Sequence, residues 1–365
     1  MIWSEAPVSI PVTARIARYQ AWLRRTPVDR PLIGLIWEAD IPGLPAFLDA
    51  VGQERAIAPD EIDPAMFLPY IERWYQRDTE WQSDIIQSWA PAFSIPWVEA
   101  IAGCPVVGYP GSLWAMPCLR SYAGRPHYHF DPHDPWLCKL LEFTQALVDR
   151  SAGRFPVALP QMRGPLDTLS SLRGAEQMSL DLLEQPAEVH AILAELADLW
   201  IEIARACLAL IPPFHGGYVT RLKMWAPGPA TTPQNDISTL ISPRMYREFA
   251  LPWDRRITAA FPYSSFHLHG SSQHQIPALL ELPDLTALEV HLEHTVGGPS
   301  LSVMLPVARR ILAQKPLLLV APDLATADLC IRELPPAGLC VMVLVNAPEL
   351  GSAYDAWLAG HHTRR

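Results

Sequence analysis

Short apolar runs, about five to nine residues long and bounded by Gly or Pro, recur along the chain and alternate with longer amphipathic stretches. The strand-like runs lie in "VDRPLIGLIW", "RFPVALPQMRG", "GGYVTRLKMWAPG", "SSFHLHG", "DLTALEVHLEH", "KPLLLVAP" and "GLCVMVLVNAP", with a weaker one around "SDIIQSWA". Helical spacing fills "ARIARYQAWLRR", "AEVHAILAELADLWIEIARACLAL", "SPRMYREFALPWDRRITAAF", "PSLSVMLPVARRILAQ" and "PELGSAYDAWLAGHH". Several of these open with Pro near the first turn, where the ring's fixed φ suits a helix. Strands alternating with helices predict parallel pairing through right-handed crossovers. Eight such repeats predict an α/β fold of the (β/α)8 TIM-barrel type, preceded by an N-terminal helix.

A barrel of this kind accommodates all 365 residues as a single domain, 1–365. Residues 40–150 break the rhythm. They are rich in Pro and Trp, and "YPGSLWAMP" and "RPHYHFDPHDPW" read as long loops, an irregular insertion or mouth-covering region within that domain. The chain has no internal repeat, and its 38 prolines are spread through loops instead of forming a linker.

Alternation along a strand sends successive side chains to opposite faces. In "VALPQMR" one face carries Val157, Leu159, Gln161 and Arg163; in "VTRLKMW" it carries Arg221, Lys223 and Trp225. In "TALEVHLE" Glu289, His291 and Glu293 share a face, with Leu288, Val290 and Leu292 opposite, and in "SSFHLHG" His267 and His269 share one. In a barrel these polar sets face the lumen and concentrate toward the C-terminal mouth, where barrel enzymes keep their chemistry.

Composition narrows the function classes. Half the residues are hydrophobic and 18% are charged, which excludes general disorder. A net charge of −10 without a Lys/Arg stripe speaks against nucleic-acid binding. The N-terminal stretch lacks the pattern of a signal peptide, and the longest apolar region carries acids and an arginine at helical intervals, so neither export nor a membrane span is expected. Six cysteines without a C-x-x-C pair are expected as reduced thiols, and the expected compartment is the cytoplasm.

Two imidazoles on one strand face can hold Zn²⁺ or another borderline metal, with Glu289 or His291 on the next strand as a further ligand. They can equally be a hydrogen-bonded pair in a polar lumen, and Glu289 can serve a cation instead. Arg163, Arg221 and Lys223 suit a substrate carboxylate or phosphate, or internal salt bridges with Glu289 or Asp167. Gln161 lies on the same face. Asp167 can cap the helix through "TLSSLRG", Asp236 can meet substrate or organise a turn, and Trp225 can stack on a flat ligand or fill the core. His127, His129 and His133 are set aside, because Asp134 and Pro135 form an N-cap and first-turn pair for the helix that follows.

The leading helix with "PVDRP", then "GPLDTLSSLRG", "EQPAEVHAIL", "QNDISTLISPRMYREFALPWDRRI" and "FHLHG", resemble the uroporphyrinogen decarboxylase superfamily, which includes zinc- and corrinoid-dependent methyltransferases. The resemblance covers most of residues 14 to 320 and implies a (β/α)8 barrel, often a homodimer, with its site at the C-terminal mouth. Asp84 in "SDI" matches the acid that decarboxylases place near substrate. Their arginine-rich stretch is here "IGLIWEADIPG", with the acids Glu38 and Asp40; Ser171 stands at their tyrosine position, and "VLVNAPELG" lacks their late histidine. Methyltransferases of the superfamily hold zinc with a His-x-Cys pair and a later cysteine; here His269 stands at the first cysteine position, and Cys340 follows 71 residues later.

The resemblance thus implies metal-assisted methyl transfer to or from a corrinoid or onto a thiol, with zinc at His267 and His269, Asp84 as proton donor and Arg163 and Lys223 orienting an anionic group. The corrinoid is then a co-substrate, and a corrinoid protein a partner. Two rivals are a metal-free decarboxylase of a tetrapyrrole-type or other carboxylated substrate, which needs no cofactor, and a non-catalytic corrinoid or tetrapyrrole binder.

Overall fold

The computed structural model describes residues 10–37, 47, 54–92, 94–109, 112–345 and 351–363. Glu38, Asp40 and most of "NAPELG" lie outside the described residues. Six strands form one curled, wholly parallel sheet: β1 (Leu32–Trp37), β2 (Ala230–Thr231), β3 (Tyr263–His269), β4 (Ala287–His291), β5 (Leu317–Ala321) and β6 (Leu339–Val345). Their spatial order is β1-β6-β5-β4-β3-β2, so each neighbour except the β1–β6 pair follows the chain.

The wall continues beyond this ladder through single contacts. The Asp84 N–H donates to the Ile33 carbonyl at 3.0 Å, Trp89 bridges Val157, and Gln234 bridges His267. A fully closed eight-stranded ladder is not formed among the described residues. The segment around Val157 has a physical reason for its weak pairing: Pro156 and Pro160 lack the N–H that a ladder requires.

One predicted strand is corrected outright. The segment through Arg221, Lys223 and Trp225 is a turn-back in which Tyr218–Val219 pairs antiparallel with Trp225–Ala226. Lys223 adopts a left-handed φ of 68°, its N–H donates to Thr220 O at 2.9 Å, and the Met224 N–H donates to Thr220 Oγ1 at 3.1 Å. The alternation assumed for those residues therefore does not apply.

Helix α1 (Val12–Leu23) presses Tyr19 and Trp22 into the amino-terminal side of the sheet. There they join Leu32, Leu318, Cys340, Met342 and Trp225 in an apolar floor, and the Trp22 indole N–H donates to Leu317 O at 3.3 Å. The opposite residues of the same strands, among them Leu288, Val290, Leu319 and Val341, belong to the larger outer core that they share with the long buried helix Pro186–Leu210. Strand alternation therefore sorts side chains into an inner and an outer set.

The helix expected from "SPRMYREFALPWDRRITAAF" forms over Pro243–Ala259 but widens to a π-turn at Tyr246–Ala250. Pro252 cannot donate to an i−4 carbonyl, so the ladder relaxes just before it. The irregular region contains a helix, Leu68–Glu80, and a three-stranded antiparallel sheet over Arg55–Ala56, Val106–Tyr109 and Ser112–Ala115, and the helix expected after Asp134 forms over Pro135–Ser151. Asp134 caps this last helix as expected, accepting from the Leu137 N–H at 2.9 Å. No helix among the described residues is long and apolar enough to cross a membrane.

Candidate metal centre at the carboxyl edge of the sheet

Strands β3 and β4 place four polar side chains side by side at their carboxyl ends, because the register sets His267 against Glu289 and His269 against His291. Phe266 and Leu268 are buried in the outer core, which leaves both imidazoles on the inner face. Their Nε2 atoms face each other at 3.4 Å.

Each ring is held from behind by a carboxylate. His267 Nδ1–H donates to Glu289 Oε2 at 2.5 Å, and His269 Nδ1–H donates to Glu293 Oε1 at 2.6 Å. An ionised carboxylate can only accept, so the proton of each neutral ring sits on Nδ1 and the Nε2 lone pair is free for a ligand. Carboxylates behind metal-ligating histidines set tautomer and ring orientation in the same way.

Asp236 approaches from the loop after β2. Its Oδ2 accepts from Gln234 Nε2 at 2.8 Å, and its Oδ1 stands 3.8 Å from His269 Nε2. The loop is fixed by Asp167, whose carboxylate accepts the N–H groups of Asp236 and Ile237 at 3.0 and 2.8 Å. Asp167 therefore caps a neighbouring turn, Asp236–Leu240, instead of its own helix.

Burial opposes ionisation of Glu289, but the imidazoles of His291 and His267 outweigh it and hold this carboxyl well below the usual carboxylate range. Burial pushes the His267 pKa down despite Glu289, whereas Glu289 overcomes burial to raise that of His291. Glu289 Oε1 lies 2.8 Å from His291 Nε2, yet the contact is poorly aligned, and this buried oxygen has no hydrogen-bond donor. His269 and Asp236 are each 37% exposed at the side chain, so the cluster opens to solvent.

The expected substrate-binding residues divide. Gln161 and Arg221 both donate to Gln234 Oε1, at 3.2 and 3.4 Å, so they belong to the shell behind Asp236. Arg163 sits at the same edge and pairs with the buried Glu99 at 3.3 Å. Lys223 points away, donating to Ser88 O at 2.8 Å, and burial together with Arg221 pushes its pKa down to about 7. Trp225 is core, buried against Gly217, with its indole N–H donating to Phe214 O at 3.5 Å.

Asp84 is not brought to this cluster. It is fully buried where β1 begins, accepting two hydrogen bonds from Arg30 at 2.5 and 3.1 Å and one from the Ile33 N–H at 3.0 Å, with Arg18 Nε at 3.3 Å. Parallel strands put the start of β1 at the opposite edge from the ends of β3 and β4. Cys340 lies at that same edge, in the apolar floor, its thiol pKa raised by burial and by the Asp84 charge.

The donor chemistry fits a divalent cation. Two groups of three donors converge, Asp236 with His267 and His269, and His267 with Glu289 and His291. Three contributors were given no role in the site from the sequence. Glu293 had a signal, as the next inward position after Glu289 and His291, although it lies past the strand end. Glu99 and Gln234 had none, since one sits in the short helix Trp97–Ile101 and the other only bridges neighbours.

No family model matches the chain, and no curated protein matches it. Among solved structures it is similar to a methyltransferase from Methanosarcina mazei, with a TM-score of 0.68 and 14% sequence identity over 97% of this chain and 100% of that one. The two proteins thus share an overall fold along essentially their whole lengths.

Proposed function

We propose that the protein is a metal-assisted methyltransferase of the uroporphyrinogen decarboxylase superfamily, moving a methyl group between a corrinoid and a thiol. The observation that carries the reading is the pair of imidazole Nε2 atoms 3.4 Å apart, each ring backed by its own carboxylate at the carboxyl edge of the sheet. The fold shared with a methyltransferase is consistent with it.

His267 and His269 would hold the cation, which when bound supplies Lewis acidity that lowers the pKa of an acceptor thiol. Glu289 and Glu293 keep both rings in the ligating tautomer. His291, whose Nε2 lies 2.8 Å from Glu289 Oε1, is the titratable group beside the cluster that would carry a proton, and Arg163 and Arg221 place positive charge beside Asp236 to orient an anionic ligand. In the transfer the carbon–sulfur bond forms as the cobalt–carbon bond breaks, the electron pair of that bond stays on cobalt, and the thiol proton is released. Asp84 takes no part, because Arg18 and Arg30 already engage its carboxylate.

The test uses methylcobalamin as donor and 2-mercaptoethanol as acceptor. Zinc-loaded protein should yield methyl thioether with loss of the methylcobalamin spectrum, chelator-treated protein should not, and His269→Ala should abolish the difference. Equal rates with zinc-loaded protein and with zinc in buffer would refute the reading. So would rapid decarboxylation of a porphyrinogen carboxylate by metal-free protein.

A further inference from the structure

The geometry points to Asp236 as the third donor of the metal centre, giving an all-nitrogen-and-oxygen site of two histidines and one carboxylate, with Glu289, Glu293 and Gln234 as the shell behind it. This rests on the metal-binding reading above and adds the ligand set and the class of ion.

In each of the three residues the rear atom is occupied: His267 Nδ1 by Glu289, His269 Nδ1 by Glu293 and Asp236 Oδ2 by Gln234. The front atoms meet in pairs, His267 Nε2 with His269 Nε2 and His269 Nε2 with Asp236 Oδ1, and the three residues each offer a donor atom within 4.8 Å of the others. Metal–donor bonds of about 2.0–2.1 Å in a tetrahedral site separate neighbouring donors by roughly 3.3 Å. The observed separations of 3.4 Å between the rings and 3.8 Å from His269 to Asp236 lie close to that edge.

The competing group of His267, Glu289 and His291 fails the same comparison. Glu289 Oε2 already accepts from His267 Nδ1–H at 2.5 Å, and Glu289 Oε1 lies only 2.8 Å from His291 Nε2, short of the roughly 3.3 Å that separates neighbouring donors around a tetrahedral ion. Cys340, the remaining alternative, sits in the apolar floor at the far edge. A donor set without thiolate suits Zn²⁺ or Co²⁺ with an open position and lacks the sulfur that softer ions such as Cu⁺ favour.

The full chain, stripped with a chelator, would be titrated with Zn²⁺ and with Co²⁺ alone, and the loaded protein examined by metal-edge X-ray absorption. One equivalent should bind, with only nitrogen and oxygen scatterers and no sulfur-to-cobalt charge-transfer band. Glu293→Gln should weaken binding roughly 10–100-fold. Asp236→Asn should weaken it more than that, and Cys340→Ser should leave it unchanged. A sulfur scatterer, wild-type affinity in Asp236→Asn, or a larger loss in His291→Asn than in Asp236→Asn would overturn the Asp236 assignment while leaving a metal enzyme standing. Failure of both ions to bind would overturn the assignment and the proposed function together. Because the absorption measurement uses the unaltered chain, a variant that does not fold does not rescue the idea.

Discussion

Replacing Asp84 by Asn separates a structural carboxylate from a reacting one. The side chain is fully buried, takes two hydrogen bonds from Arg30 and one from the Ile33 N–H, and has Arg18 at 3.3 Å. Asn keeps the volume but removes the charge that two guanidinium groups were placed to meet, and its NH₂ turns a donor toward donors. Breaking one partner of a buried ion pair costs about 3–5 kcal/mol. With an unfolding entropy of about 2.1 cal/mol/K per residue, that cost lowers the melting temperature of a 365-residue chain by roughly 4–7 °C. Calorimetry reads the shift, and a zinc titration at 25 °C reads the other edge of the sheet, where no change is expected. An unaltered melting temperature with abolished turnover would refute the reasoning and return Asp84 to the reaction.

Burial pushes Asp254 up to about 7 although the Tyr246 hydroxyl donates to it at 2.6 Å, whereas in the unfolded chain it titrates near 3.9. The folded form retains the proton between those values, so stability falls as pH rises from about 4 to 7 and stays lower above; Asp254→Asn should flatten that fall and raise the melting temperature at pH 8, both readable in thermal melts across that range. Lys223 has the opposite sign: with its folded pKa near 7 and its unfolded value near 10.4, its contribution grows as pH rises from 7 to 10 and is lost as pH falls through 7. Lys223→Met should remove that rise, measured as denaturant midpoints at pH 7 and pH 10. At Gly34 a Cβ would stand 2.2 Å from both Ile85 Cγ1 and Ser83 Oγ, so Gly34→Ala should cost on the order of 1–3 kcal/mol in urea unfolding, and a neutral result would mean that the two wall segments are not in contact there.

The legible part of this protein was whatever follows period-two alternation. Phe266 and Leu268 outward with His267 and His269 inward, and Leu288 and Val290 outward with Glu289 and His291 inward, came directly from strand parity and stand as read. Parity failed at Arg221, Lys223 and Trp225, because a turn closed by the Thr220 hydroxyl and a left-handed lysine leaves no mark in the hydrophobic pattern. The surroundings of Asp84 were not legible for another reason: a motif names a residue but not its neighbours, and the Arg18 and Arg30 that engage it come from elsewhere in the chain. The pairing of Arg163 with Glu99 and the role of Asp167 on the Asp236 loop are likewise contacts between distant segments, which spacing along the chain cannot encode.

The apolar floor beneath the histidines has a kinetic consequence. Tyr19, Trp22, Leu318 and Met342 fill the amino-terminal side with apolar surface, and the cluster is part-exposed at the carboxyl edge, where His269 and Asp236 lie. If the proposed methyl exchange is conducted there, both reactants reach the histidines through that part-exposed edge and must share it.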